Sequence, residues 1–229
     1  MSNAVVQCVG VSRVYGAGDR EVVALRDVDL SIPPCAFAAV IGRSGSGKTT
    51  LLNVMGGLDQ PSAGEVLLSG RPIGGLSDDE RTELWRHEVG FVFQSFALLP
   101  TLSAYDNVAL PLRITGTAAE ERDERVSHCL ELVGLEEWAG HRPYELSGGQ
   151  QQRIAVARAL VHRPRLILAD EPTGELDSET AREVFSLFSR LIAEEGVTVV
   201  VASHDPLVHQ YATLAVRLTD GRVQQPTQD

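Results

Sequence analysis

The stretch GRSGSGKTT, Gly42 to Thr50, limits what this chain can fold into more than any other. Three glycines, two serines and a lysine are set between two apolar runs, AFAAVI and LLNVMGGL. The spacing Gly42-x-x-x-x-Gly47-Lys48-Thr49 is that of a phosphate-binding loop between a strand and a helix. Its glycines let successive backbone N–H groups converge on phosphate oxygens, and the following helix offers its positive N-terminal end to the anion. In this reading Gly42, Ser44, Gly45, Ser46, Gly47 and Thr50 form the cradle. Lys48 reaches the β- and γ-phosphates, and the Thr49 hydroxyl ligates Mg²⁺. A plain Gly/Ser-rich turn is the alternative, and the loop alone implies only nucleotide binding.

The chain has 229 residues, 43% of them apolar, enough for a large core in one compact unit or two closely joined lobes. No apolar run approaches the roughly 18 residues of a membrane span, and the first residues lack the charged start and apolar middle of a signal peptide. A cytosolic protein is expected. Cys8, Cys35 and Cys129 are odd in number and widely spaced, which suits reduced, buried thiols rather than a disulfide framework. A metal site pairing Cys129 with His128 or His141 is disfavoured, because adjacent residues of a helix point to different faces. The net charge of −11 argues against a broad nucleic-acid footprint and against unaided adhesion to anionic lipid, so any membrane contact should run through a protein.

Strand-like runs alternate with helical patterns: VVQCVGVSRVY, EVVALRDVDLSI, AFAAVI, GEVLLSG, VGFVFQ, RLILAD, VTVVVAS and LAVRLTDGRV read as strands. Three of these, AFAAVI, RLILAD and VTVVVAS, are apolar almost throughout, as strands covered on both faces of a parallel sheet are. The expected class is α/β. From Ser95 to Glu145 the pattern turns to helix and loop, with Val126, Leu130 and Val133 on one helical face. This predicts a core lobe of about 1–94 and 146–229 with a small helical lobe, about 95–145, inserted. The polar tail QQPTQD is expected to fray.

Two further features carry chemistry. In RLILADEP, an apolar strand delivers Asp170 and Glu171 to the top of the sheet, where open α/β folds bind ligands. Asp170 suits Mg²⁺ held through water, and Glu171 suits polarising the water that attacks a γ-phosphate. A solvated turn is the alternative. In LSGGQQQRIAVARALVHRP, Ser147 is a candidate N-cap, Gly148 and Gly149 open the helix start to close approach, and the helix ends before Pro164. A second anion-ready helix start suggests two copies that share each ATP between the cradle of one and this motif of the other; an ordinary capped helix is the alternative.

At these residues the chain resembles the nucleotide-binding subunits of the ABC ATPases over essentially its whole length. The resemblance implies a P-loop NTPase of ABC type: a mixed-sheet core lobe with an antiparallel β part and the inserted helical lobe. It makes Gly42 to Thr50 the Walker A loop, Leu146 to Gln150 the signature motif, and Asp170 with Glu171 the end of Walker B. It further implies that Gln94 contacts Mg²⁺ and the attacking water and links the site to the helical lobe. By the same resemblance His204 contacts the γ-phosphate and Tyr15 stacks on adenine. One departure is Glu175 in TGELD, where close relatives commonly carry Asn near the dimer interface; an added carboxylate there repels phosphates, pairs with an arginine of a partner subunit, or is a tolerated loop change.

The segment Leu76 to Leu112 resembles the macrolide-export and lipoprotein-release branch. That resemblance implies ATPase subunits on the inner face of the membrane driving a separate or fused integral permease, with no nucleic acid; with this sequence ending at Asp229, a homodimer of ATPase subunits on a separate permease is expected. Phe96, Leu98, Leu99 and Pro100 then offer either a docking groove for a permease helix or packing at the lobe junction. A non-transporting regulator of an envelope enzyme, and a soluble ABC ATPase, are the competing readings.

Overall fold

The computed structural model describes residues 4–16 and 18–224; residues 225–229, most of the polar tail, lie outside it. The elements in chain order are β1 (Val6–Tyr15), β2 (Val22–Ile32), β3 (Phe37–Ile41), α1 (Lys48–Met55), β4 (Ala63–Leu68), β5 (Arg71–Pro72), α2 (Asp78–His87) and β6 (Val89–Phe93). There follow α3 (Ala104–Ile114), α4 (Ala119–Leu132), α5 (Gly148–Leu160), β7 (Leu166–Asp170), α6 (Ser178–Glu195), β8 (Thr198–Ser203), β9 (Leu214–Thr219) and β10 (Arg222–Gln224). They build two sheets. One has six strands in the order β10-β9-β3-β8-β7-β6, parallel from β9 to β6 with β10 antiparallel at the edge. The other is a four-stranded antiparallel sheet, β2-β1-β4-β5.

The near-continuous apolar runs do form the central strands. Thr198–Ser203 of β8 is buried at every position, and β3 and β7 are buried except at their last residues. The strand period of two splits their side chains between two cores. Phe37, Ala39, Ile167, Ala169, Val199 and Val201 pack with α5 and α6, where the Phe37 ring meets Phe185 and Phe188 at centroid distances of 6.4 and 6.2 Å. Ala38, Val40, Leu166, Leu168, Val200 and Ala202 face the other way, onto Leu51, Leu52 and Met55 of α1 and onto the antiparallel sheet. Each buried Leu, Val or Phe side chain contributes about 1.5–3 kcal/mol. These two layers clamp the C-terminal ends of β3 and β7 in fixed register.

Val126, Leu130 and Val133 are buried as the helical spacing predicts, together with Val108 and Leu112 of α3 and Ile154 of α5. The core under α3 and α4 is therefore continuous with the one beneath the sheet. Among the described residues no helix is long and apolar enough to cross a membrane.

Three local readings need correction. LAVRLTDGRV is a hairpin of β9 and β10, because Asp220 and Gly221 take positive φ, 48° and 76°, and turn the chain back on itself. Helix α2 was not legible from periodicity, since Leu84 is its one buried residue; its start was encoded in Ser77-x-x-Glu80, which forms a capping box. Cys35, expected buried, is exposed at a positive φ of 54° where the chain turns into β3, whereas Cys8 and Cys129 are buried free thiols pushed up to about 12 by desolvation.

Candidate nucleotide-binding site

Strand β3 ends at Ile41, the chain turns through Gly42 to Gly47, and α1 begins at Lys48. The turn needs its glycines for steric reasons. A Cβ at Gly47, where φ is 105°, would lie 2.5 Å from the Ala24 carbonyl oxygen, and one at Gly42 would lie 2.4 Å from that of Leu218. Gly47 offers α1 no side-chain cap, so the first N–H groups of the helix stay available at the loop. The loop wall carries a further orphan, the buried Ser46 hydroxyl oxygen, which has no hydrogen-bond partner.

Beside this loop the structure assembles a charged relay. Lys48 is buried; its ammonium donates to the carbonyls of Gly42 (3.0 Å) and Arg43 (3.4 Å) and lies 3.1 Å from Glu171 Oε1. Glu171 Oε2 accepts from His204, through the ring Nδ1 at 2.8 Å and the backbone N–H at 3.3 Å. A carboxylate only accepts, so Nδ1 carries the proton and Nε2 is left free. Glu171 sits just past β7 with φ 46°, a left-handed conformation that costs about 1–2 kcal/mol for a residue with a Cβ. Its N–H donates to Ala202 of β8 and its carbonyl accepts from Gly174, and these bonds hold the strained turn that aims the carboxylate at Lys48.

Asp170, one residue earlier, points differently. Its Oδ1 is buried without a partner, and burial holds its carboxyl above the usual range, reinforced by Glu171 and opposed by a hydrogen bond to Thr49 and by the Lys48 charge. Gln94 lies beyond the end of β6, its amide nitrogen 3.1 Å from where a Cβ on Gly174 would be. A cleft of about 660 Å³ is lined by Ser44, Gly45, Gly47 to Thr50, Gln94, Glu171 and His204, and its far wall is Val22 to Ala24 at the start of β2. An adjoining hollow of about 650 Å³ runs along Gly42 to Ser46 to His204 and the β9–β10 turn. Nothing in the sequence pattern marked Val22 to Ala24, because they contribute as a strand edge brought in by the fold.

Two groups of expected site residues are not in this cleft. Tyr15 is at the end of β1, paired in register with Val22, but does not line it. Its hydroxyl donates to Asp59 (2.6 Å), and the Arg13 guanidinium covers one face of its ring at 4.4 Å while pairing with Asp59. Ser147 to Gln150 also lie elsewhere in the chain's own fold. Ser147 caps α5 in a reciprocal box with Gln150. Gly148 packs toward Leu176 and Phe96, and a Cβ on Gly149 would be 2.4 Å from a Thr180 methyl.

A strand, a glycine turn, an uncapped helix start, a lysine and two carboxylates at the strand ends define a P-loop nucleotide-binding protein. The family model described as ABC transporter matches residues 25–174. The chain is 45% identical to the uncharacterized ABC transporter ATP-binding protein MJ0796 of Methanocaldococcus jannaschii, over 96% of this chain and 95% of that one. It is 44% identical to the macrolide export ATP-binding/permease protein MacB of Syntrophobacter fumaroxidans, over 96% of this chain but 31% of that protein, so it spans about a third of such relatives. Among solved structures, a dimeric post-hydrolysis state of the MJ0796 cassette bound to ADP and Pi superposes with a TM-score of 0.87 at 43% identity, covering 96% of this chain and 97% of that one. The chain belongs to the ABC transporter family and is one of its ATPases.

Proposed function

We propose that this chain is the ATP-binding and hydrolysing subunit of an export or extraction system, working as a pair of copies on a separate membrane permease. The observation that supports it most is the Lys48–Glu171–His204 relay at the mouth of the phosphate loop. A buried ammonium that loses one carboxylate must find another anion. The β- and γ-phosphates of ATP are such an anion, and their arrival releases Glu171 from Lys48. Glu171 then orients the attacking water, which loose phosphoryl transfer needs more than it needs a strong base. His204, held through Nδ1, turns Nε2 toward the γ-phosphate.

The residues present fit Mg²⁺: the buried, partnerless Asp170 oxygen and the adjacent Thr49 hydroxyl are the hard oxygen donors such a site takes alongside phosphates and water. When bound, the ion neutralises β- and γ-phosphate oxygens. Thr49 would hold it directly, Asp170 through water, and Gln94, which lines the same cleft as Thr49, would be a further oxygen donor. The 95–145 segment is read as a lobe between this site and the partner.

Each chain holds its Ser147–Gln150 helix start outside its own cleft, so that motif is available to a second copy. A dimer with two composite sites follows from this reading, and the dimeric state of the solved cassette to which the chain is similar supports the pairing. The names of the MacB relatives support an exporter with the ATPase on the cytoplasmic face, and the match over 95% of the MJ0796 ATP-binding protein supports a permease carried by another polypeptide. Adenine is read against Tyr15 on the ring face that Arg13 leaves uncovered.

The test is the Glu171→Gln protein. ATP hydrolysis should fall by about 100-fold or more while ATP binding persists, and affinity purification from a detergent extract with ATP and Mg²⁺ should bring down a permease. Unchanged turnover removes Glu171 from its role; recovery of ribosomes or nucleic-acid proteins instead of a membrane protein removes the transport reading.

A further inference from the structure

The segment immediately after Gln94 is bound by a charge that the cleft chemistry does not use. Arg158, three turns along α5 from Ser147, has no carboxylate partner among the described residues. Its guanidinium instead donates through Nη1 to the Ala97 carbonyl at 2.5 Å and through Nη2 to the Phe96 carbonyl at 3.1 Å. Phe96 and Ala97 are consecutive residues with side chains in the left-handed region, φ 58° and 50°. Two such residues in succession are rare in any loop, and here they turn successive carbonyls onto one planar fork. Burial of Arg158 is such that its pKa is lowered by desolvation, so these two carbonyls are what its charge has been given in place of water.

The other side of the loop is fastened independently. Asn107 of α3 is fully buried and accepts from the Leu99 N–H while donating to the Leu99 carbonyl. The loop from Gln94 to Leu99 is therefore tied to α5 by two bonds from Arg158 and to α3 by Asn107, while a single turn bond, from the Phe96 N–H to the Phe93 carbonyl at 3.2 Å, joins it to the end of β6. Phe96 also lies near Gly148, at the start of the same helix that carries Arg158.

We infer that Arg158 is a positioning residue for Gln94: by holding the Phe96 and Ala97 carbonyls it makes the Gln94 loop move as one body with α5, joining the Ser147–Gln150 end of that helix to the cleft within one chain. The inference rests on the reading of Gln94 as a cleft residue that serves hydrolysis. It predicts that Arg158 influences the reaction only through Gln94, without touching nucleotide.

A double-mutant cycle on the full chain tests it, with steady-state ATP hydrolysis and thermal unfolding measured for each protein. Arg158→Met keeps the stem and removes both donors; it should lower kcat by about tenfold and leave KM within about twofold. Arg158→Lys, which returns one donor, should recover part of the loss at wild-type melting temperature. In the Gln94→Ala background, Arg158→Met should add less than about a twofold further loss, because the two substitutions remove the same contribution. Multiplicative losses in a slow Gln94→Ala protein would overturn the positioning role alone. Full activity of Gln94→Ala would overturn both that role and the assignment of Gln94. A raised KM with unchanged kcat for Arg158→Lys would also overturn the positioning role.

Discussion

At the scale of single residues, the cleft is expensive to fold. Asp170 holds a buried oxygen without a partner, and Glu171 holds a left-handed backbone beside a buried lysine. Because the Asp170 carboxyl is raised above its ordinary range, chiefly by desolvation, the folded chain binds its proton more tightly than the unfolded chain does. Stability therefore falls as pH rises through that range, and ionised Asp170 costs the fold at neutral pH. Asp170→Asn should raise the midpoint of thermal unfolding by about 2 °C at pH 7, with the advantage smaller at about pH 3.5, where the carboxyl of the parent is protonated, while Mg²⁺-dependent hydrolysis is lost. Calorimetry at the two pH values checks the first half, and phosphate release checks the second. A lower midpoint for the variant at both pH values would mean that the carboxylate is structural. The positions of Asp170 and Glu171 were legible, as acids that end an apolar strand. Their opposite environments were not, because one residue of offset and one positive φ decide which is aimed at Lys48 and which is buried.

At the scale of elements, close approach decides where α5 can sit. A Cβ on Gly90 of β6 would lie 2.2 Å from the Ala159 carbonyl oxygen of α5, a distance no side chain tolerates without movement of one backbone or the other. Gly90→Ala should cost about 1–3 kcal/mol and shift α5 away from β6, which urea denaturation measures directly. Gly140→Ala, with nothing within 4 Å of its new methyl, is the control and should stay within about 0.5 kcal/mol of the parent. The strands that bear the site were readable because burial on both faces leaves an unbroken apolar run. Helix α2 was not, since it buries little and announces itself only by its capping box.

At the scale of the whole molecule, net charge opposes the assembly we propose. Two copies of a chain with net charge −11 must meet across nucleotides that are themselves anionic. Glu175 is exposed in the turn between β7 and α6. Replacing it by Asn should tighten ATP-driven dimerisation by about threefold, an effect that shrinks as salt screens the repulsion. Sedimentation velocity in the Glu171→Gln background reads this, and an unchanged profile would make Glu175 a neutral loop residue.

The sequence by itself determined the phosphate loop, the parallel α/β core, the capped start of α5 and the acids at the end of β7. Each of these is local chemistry: a spacing of glycines, a period of apolar residues or a capping pattern fixes backbone conformation over a few turns. Only the tertiary structure decided that Lys48, Glu171 and His204 form one relay, that Tyr15 is held by Arg13 and Asp59 beside the cleft rather than in it, and that Ser147 to Gln150 stand apart from their own loop. Those relations join residues far apart in the chain, and they are set by strand order, helix packing and a few strained backbone angles that no local pattern records.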